Sequence, residues 1–391
     1  MAQGRIARVI AVLFVLLLPS TTIVARNGSL DDEARPPIRV IGAAQSSVVG
    51  LTPSQVRRAY GFDQVSNQGA GQTIAIITAF DHPHIEDDLA VFSQTFNLAP
   101  CTTANGCFRK ISAGANPGTK QIWALEAAID VEWAHAIAPQ ARILLVQSKT
   151  DTLTDLLDAV DVAVQQGANV VSMSWAATET PGTTQNIHFI KPNVTFVAAS
   201  GDFGTGTMYP AASPYVTAVG GTTLNVDAQG NYLGETAWSG SGGGLSIAET
   251  EPLYQADFNI PNNPQGKRGV PDVAYNADHI TGFAVYNSQP FTGLKGWIQF
   301  AGTSAGTPQW AGLAAIVNSM RVAAGKAPMT GMNDGLYSAA KRNYRNNFHD
   351  VTTGTNGSCG VLCTATAGYD YVTGLGSPQA NNLINALVRA P

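Results

Sequence analysis

Val194-Thr195-Phe196-Val197-Ala198-Ala199 runs directly into Ser200-Gly201-Asp202-Phe203-Gly204. Six residues are too few for a buried helix, and the run stops at turn formers, so it reads as a strand buried on both faces. Four more segments have this character: Thr73 to Thr78, Ile143 to Gln147, Asn169 to Met173 and Val216 to Gly220. Helical patterns accompany them at Gln121 to Ile137, Thr152 to Gln166 and Ser304 to Ala323. Alternation of this kind implies right-handed crossovers, hence an α/β fold with a doubly wound, mostly parallel β-sheet and helices on both faces. Thr52-Pro53 predicts the cap and first residue of a short helix through Tyr60, where the continuous pattern begins. There is no internal repeat, and the Gly-rich stretch Ser239 to Gly244 is too short to link two domains, so residues 49–391 read as one domain.

Composition narrows the function classes. Only 13% of the 391 residues are charged, against about 25% in an ordinary soluble domain. Lys and Arg total 22 and Asp and Glu 27, giving a net charge of −5 with no basic stripe, which argues against a nucleic-acid binder. A 45% apolar chain with 40 Gly and strong local patterning is neither disordered nor a coiled coil. Nothing in it calls for an oligomer, so a monomer is expected.

Residues 1–25 carry Arg5 and Arg8, the ten-residue apolar run Val9 to Leu18, Pro19, and small residues ending near Ala25. This reads as a secretory signal peptide, because a membrane span needs about 20 apolar residues. No Cys follows to carry a lipid, so the mature protein is expected to be secreted and free of the membrane. Residues 26–48, polar and containing Pro36-Pro37, read as a linker or short pro-segment. The four cysteines form two local pairs, Cys101 with Cys107 and Cys359 with Cys363, which suggests two short disulfides in an oxidising compartment. A zinc site is the competing reading, but the spacings C-x5-C and C-x3-C fit poorly and no His lies nearby in sequence. Asn193-Val194-Thr195 and Asn356-Gly357-Ser358 match the glycosylation acceptor.

The chemistry centres on Gly302-Thr303-Ser304-Ala305-Gly306-Thr307-Pro308. A Ser at a helix start exposes its hydroxyl, and its own N–H points at any oxyanion formed there; the plainer reading is a helix cap. Pro308 is expected in the first turn of that helix, where a missing N–H costs little. None of the six His stands in the His-Gly-Thr setting of subtilisins. The helix Gln121 to Ile137 instead offers Glu126 and Asp130, four apart on an otherwise apolar face, a costly placement unless the pair is matched or functional. Asp202 follows a strand whose carboxyl end should line the crevice of a parallel sheet; otherwise it is a turn Asp.

Glu126-x3-Asp130, Ser200-Gly201-Asp202-x-Gly204 and Gly302-Thr303-Ser304-x3-Pro308, in that order, resemble the signatures of the sedolisins, the serine-carboxyl peptidases. The likeness spans the chain from Leu51 and takes in Ser174-Trp175, Pro210 to Val216, Gly242-Gly243-Gly244 and Arg268 to Ala274. It implies a subtilisin-like fold and peptidase activity on protein or peptide substrates. Ser304 would attack the carbonyl, Glu126 act as base, Asp130 orient Glu126, and protonated Asp202 donate to the oxyanion. A Glu base and a neutral Asp donor both suit acid conditions. His349-Asp350-Val351 and Ala367 to Pro378 resemble the family's Ca²⁺ site, with Asp350 and Asp370 giving carboxylates and Val351, Thr366 and Gly368 giving carbonyls.

Three departures from the family pattern stand out. The large N-terminal pro-domain of most relatives has no counterpart between the signal and residue 49. The first strand ends Ile77-Thr78-Ala79, where some relatives place a Glu. The segment Gly204 to Tyr209 is short and uncharged, so no strong preference for basic P1 side chains is expected. Two other functions remain: a G-x-S-x-G esterase using Ser304, His349 and Asp334, or a non-catalytic secreted relative. With few basic groups, the chain should also resist the self-repulsion that drives acid unfolding.

Overall fold

The computed structural model describes residues 33–45, 47–115, 117–181 and 185–390; the expected signal peptide lies outside them. The main sheet contains β1 (Thr73–Ala79), β2 (Phe108–Ala113), β3 (Arg142–Ser148), β4 (Val170–Met173), β5 (Thr195–Ala199), β6 (Thr217–Val226), β7 (Tyr232–Ala237) and β8 (Val273–Asn276). Its order is β7-β6-β5-β4-β1-β3-β2, with β8 parallel beside the first half of β6. Every neighbouring pair is parallel except β6 with β7.

Alternation along β1 sends Ile74 and Ile76 into one core, shared with α1 (Gln121–Ile137) and α3 (Thr303–Ala323). Ala75, Ile77 and Ala79 enter the other core, beneath α2 (Leu153–Gln165). Both faces are thus covered, which is why these strands are uniformly apolar. The chain runs from β1 out to β2, returns through β3, then hops over β1 to β4 and winds outward. The reversal at β1 opens a crevice at the carboxyl ends of the strands.

The five expected strands and three expected helices are present with ends shifted by a residue or two, except that β6 continues to Val226 as a half-exposed partner for β7. Thr52 caps the short helix Pro53–Ala59 through a reciprocal capping box with Gln55. A hairpin, Phe283–Phe291 and Leu294–Ala301, forms a separate three-stranded sheet with Arg39–Gln45, so part of the segment read as linker or pro-segment is strand. Among the described residues no helix is long and apolar enough to cross a membrane.

Both cysteine pairs are bridged, Cys101 to Cys107 and Cys359 to Cys363. His135 does come within ligand distance of the first pair, a neighbour hidden by sequence separation, but disulfide sulfurs are not thiolate ligands. Arg268 and Asp272 form a fully buried bidentate pair at 2.8 and 2.5 Å. Asp272 also accepts from the Ala218 N–H and the Tyr337 hydroxyl, tying β6 to the loop that precedes β8.

Candidate active site

Helix α1 is buried all round from Trp123 to Ile137, so its polar residues have no water to turn to. Glu126 and Asp130 share a face and are fully buried. Ser174, the residue after β4, donates its hydroxyl to Asp130 Oδ1 at 2.6 Å. Burial, and then the charge of Asp130, push Glu126 well above the ordinary carboxylate range, while the nearby Ser304 hydroxyl acts in the opposite sense. Neither Glu126 oxygen closes a hydrogen bond of normal geometry, so that hydroxyl contact is one of proximity. Asp130 is raised by burial, opposed by Ser174. Two carboxyls in one dry pocket cannot both ionise cheaply, and the pair retains a proton.

Ser304 is the second residue of α3 and is itself buried. Its hydroxyl donates to the carbonyl of Pro37 at 2.8 Å. Pro308 lies beyond the first turn, inside the helix, contrary to expectation. Its missing N–H leaves the Ser304 carbonyl without the usual partner, and the Ser174 hydroxyl, whose one proton is shared with the shorter contact to Asp130, stands 3.2 Å away. The proline thus sets a polar contact between Ser304 and the Ser174 hydroxyl that holds Asp130.

Asp202 follows β5, and its Oδ1 accepts from the backbone N–H and the hydroxyl of Thr303, both at 2.8 Å. A β-carbon on Gly302 would fall 2.6 Å from Asp202 Oδ2 and closer still to the Pro37 oxygen. With φ at 128°, only glycine leaves room for a carbonyl oxygen between these groups. Gly242 is needed for a similar reason: its N–H donates to Gly201 O at 2.8 Å, and any side chain there would strike the Ser200 carbonyl.

The middle of α1, the end of β5 and the start of α3 therefore bring together the four residues that sequence expects to be catalytic. Ser174 and Thr303 were quoted as motif residues without a role; Ser174 was open to the same strand-end argument that singled out Asp202. Thr78 is buried and no third carboxylate joins Glu126 and Asp130 from that position. His349 stacks on Tyr232 with ring centroids 3.8 Å apart and makes no hydrogen bond to Ser304, while Asp334 lines a separate cavity with Arg342 and Ser338. Burial lowers His349 to about 4, a poor general base.

In the C-terminal loop, Asp350 accepts from the Gly368 N–H, and Asp370 from the N–H groups of Thr366, Val372 and Thr373. Burial raises both carboxyls, Asp370 to about 6. The Gly368 carbonyl accepts from the Tyr344 hydroxyl at 3.0 Å. Asn356 is buried and donates to Ser241 O at 2.8 Å, which leaves no space for a glycan in the folded protein; Asn193 is exposed.

Residues 110–354 match the family described as Peptidase_S8, the subtilase family. Kumamolisin of Bacillus sp. (strain MN-32) is 32% identical over 86% of the chain and 63% of its own length. Sedolisin of Pseudomonas sp. (strain 101) is 29% identical over 86% of the chain and 66% of its own length. The chain thus spans just under two thirds of these curated relatives. The solved structure of Pseudomonas sedolisin, a serine-carboxyl proteinase complexed with two molecules of pseudo-iodotyrostatin, superimposes with a TM-score of 0.74 at 27% identity, covering 87% of this chain and 98% of that one. The chain belongs to the subtilase family and is a sedolisin-type catalytic domain within it.

Proposed function

We propose that this protein is a secreted serine-carboxyl peptidase that hydrolyses peptide bonds in acid. The observation that carries the reading is the meeting of Ser304, the Glu126–Asp130 pair and Asp202 around one carbonyl-sized space beside Gly302. Ser304 Oγ attacks the scissile carbonyl, Glu126 takes its proton and passes it to the leaving amine, and Asp130, held by Ser174, orients Glu126. Asp202 Oδ2, protonated, and the Ser304 N–H stabilise the oxyanion. Asp202 donates only while neutral, so activity falls towards neutrality.

The loop of Asp350, Val351, Thr366, Gly368 and Asp370 suits one structural Ca²⁺. The supporting observation is its donor chemistry: two carboxylates, both raised by burial, accept from the Thr366 and Gly368 N–H groups of one turn, and carboxylate and carbonyl oxygens are the hard ligands that fit that cation. Substrates are proteins or peptides, with no strong preference for basic P1 residues.

The deciding experiment incubates the protein with denatured protein substrate at about pH 4, beside Ser304→Ala and Glu126→Gln. Loss of turnover in both variants is expected; equal turnover by all three would end the enzyme reading. His349→Ala should keep most activity, whereas an esterase built on His349 would lose it.

A further inference from the structure

The Cys101–Cys107 disulfide has a third chemical neighbour. His135 lies fully buried in the last turn of α1, and a ring nitrogen of His135 and the two sulfurs lie within 4.8 Å of one another. Its Nε2 stands 2.8 Å from the Ala99 carbonyl, which only accepts, so the ring proton sits there and Nδ1 keeps its lone pair. Nδ1 has no hydrogen-bond partner among the described residues, and burial lowers the imidazole, so the ring stays neutral. A buried acceptor without a partner is unfavourable, and a disulfide, which carries no hydrogen, cannot satisfy it.

We propose that the dithiol form of this protein binds one Zn²⁺ through Cys101, Cys107 and His135, and that oxidation to the disulfide expels the ion. The inference does not depend on the peptidase reading. Two thiolates and an imidazole suit Zn²⁺, and three protein ligands leave a fourth position to water. Bonds of about 2.3 Å to sulfur and about 2.0 Å to nitrogen place tetrahedral ligands roughly 3.5 to 3.8 Å apart, a spacing the cluster reaches when the sulfurs part. The Ala99 carbonyl fixes the ring as a carbonyl behind a metal-bound His does, and a cation at the carboxyl end of α1 meets the favourable end of its dipole. The turn that carries the cysteines does not need the S–S bond to keep them together. Asn105 Oδ1 accepts from the N–H groups of Thr102 and Cys107 at 3.1 and 3.0 Å, and its Nδ2 donates to Pro100 O at 2.8 Å. Glu86 accepts from the N–H and hydroxyl of Thr103, both at 2.7 Å. Cys107 also lines an open cleft of about 370 Å³, which gives reductant and ion a way in. Arg109 and Arg142 line that cleft too, but two thiolates cancel the charge of the ion, so the arginines meet a neutral cluster.

To form the site, an external dithiol supplies two electrons and two protons: its own S–S bond forms as the Cys101–Cys107 bond breaks. Zn²⁺ then displaces both thiol protons to solvent. In the reverse direction an external disulfide takes the two electrons by exchange, its sulfurs leave as thiols with two protons from solvent, and the ion departs with no thiolate to hold it. The site therefore fills before the chain is oxidised, or wherever a dithiol reaches it.

The test uses the full chain carrying Ser304→Ala to stop self-digestion, near neutral pH in excess Ca²⁺, reduced by a phosphine that is then removed without admitting air. Zn²⁺ uptake is measured by competition with a chromophoric chelator, and Co²⁺ serves as the spectroscopic probe. The reduced chain should take up one Zn²⁺, melt at a higher temperature with it, and give the thiolate-to-Co²⁺ absorption of a tetrahedral site; the oxidised chain should do none of these. His135→Gln keeps an N–H donor where Nε2 stands and lacks Nδ1, and Cys107→Ser removes one sulfur at a half-buried position. Each should weaken binding at least about tenfold, as loss of even a ligand's own support does. Cys359→Ser with Cys363→Ser should leave the affinity unchanged. No uptake by the reduced chain, equal uptake by the oxidised one, or an affinity that survives His135→Gln and falls with the Cys359 and Cys363 replacements, overturns the inference.

Discussion

The fold should be more stable in acid than at neutrality, and the buried pair in α1 should account for part of the slope. Burial raises Glu126 and Asp130 above their ordinary values of 4.5 and 3.8, with the charge of Asp130 adding to the rise at Glu126. A folded pKa above the unfolded one means that the native state binds more protons. Its contribution is complete below the unfolded pKa and is lost as pH rises towards the folded one. Each carboxyl protonated in the fold but ionised in the unfolded chain removes about 1.4 kcal/mol per pH unit. The pair shares one proton, leaving the other carboxyl ionised to serve as base, and therefore removes about 1.4 kcal/mol per unit. With an unfolding entropy of about 2 cal/mol/K per residue over ~360 residues, that is roughly 2 °C in Tm per unit. Thermal melts of Ser304→Ala, which cannot digest itself, at fixed calcium between pH 4 and 6.5 give the slope. Adding Glu126→Gln and Asp130→Asn should flatten it by that amount. Buried Glu132 and Glu235 are also raised by burial and add to the slope, while His349 and His135, lowered by burial, oppose it. An unchanged slope in the double replacement would refute the argument.

At Asp202, Ala should cost about 10²- to 10³-fold in kcat, the usual loss for one oxyanion donor, whereas Asn keeps a donor that never ionises. Asp202→Asn should therefore retain measurable turnover and extend it towards neutral pH; a pH–rate profile that falls at the same pH as wild type would contradict this. Chelation of Ca²⁺ should lower Tm, by the equivalent of about 2.7 kcal/mol when the free ion stood at 100 times its Kd, and Asp370→Asn should abolish the chelator's effect. Asp272→Ala leaves Arg268 charged and buried with no counter-ion, and should destabilise the fold by about 3 to 5 kcal/mol in denaturant titration.

The strands flanking the crevice were legible because parallel strands covered on both faces must be apolar throughout, as Thr195 to Ala199 shows. Edge elements carry no such mark. β2, Phe-Arg-Lys-Ile-Ser-Ala, is half exposed and reads as polar surface, and β7 buries only one of its six residues fully. The hairpin that receives Arg39–Gln45 was hidden for a different reason, since its pairing is long-range and local composition does not encode a partner 260 residues away. Hence residues 26–48 read as linker: their polarity was visible and their destination was not.

The residues proposed as catalytic were legible in position, because a carboxylate pair on a wholly apolar helix is physically expensive and so demands explanation. Their supports were not. Pro308 illustrates why: sequence rules place a tolerated proline where no N–H is missed, and the first turn of α3 was the natural choice. The structure instead puts it where the lost bond falls on the Ser304 carbonyl, and the Ser174 hydroxyl, already donating to Asp130, stands at that carbonyl as well. A local defect in one helix becomes a link between Ser304 and Asp130 only when three segments, separated by 44 and then 130 residues along the chain from Asp130 through Ser174 to Ser304, meet in space. Such coupling has no sequence signature, because each residue taken alone obeys or breaks a rule for reasons that lie in the other two.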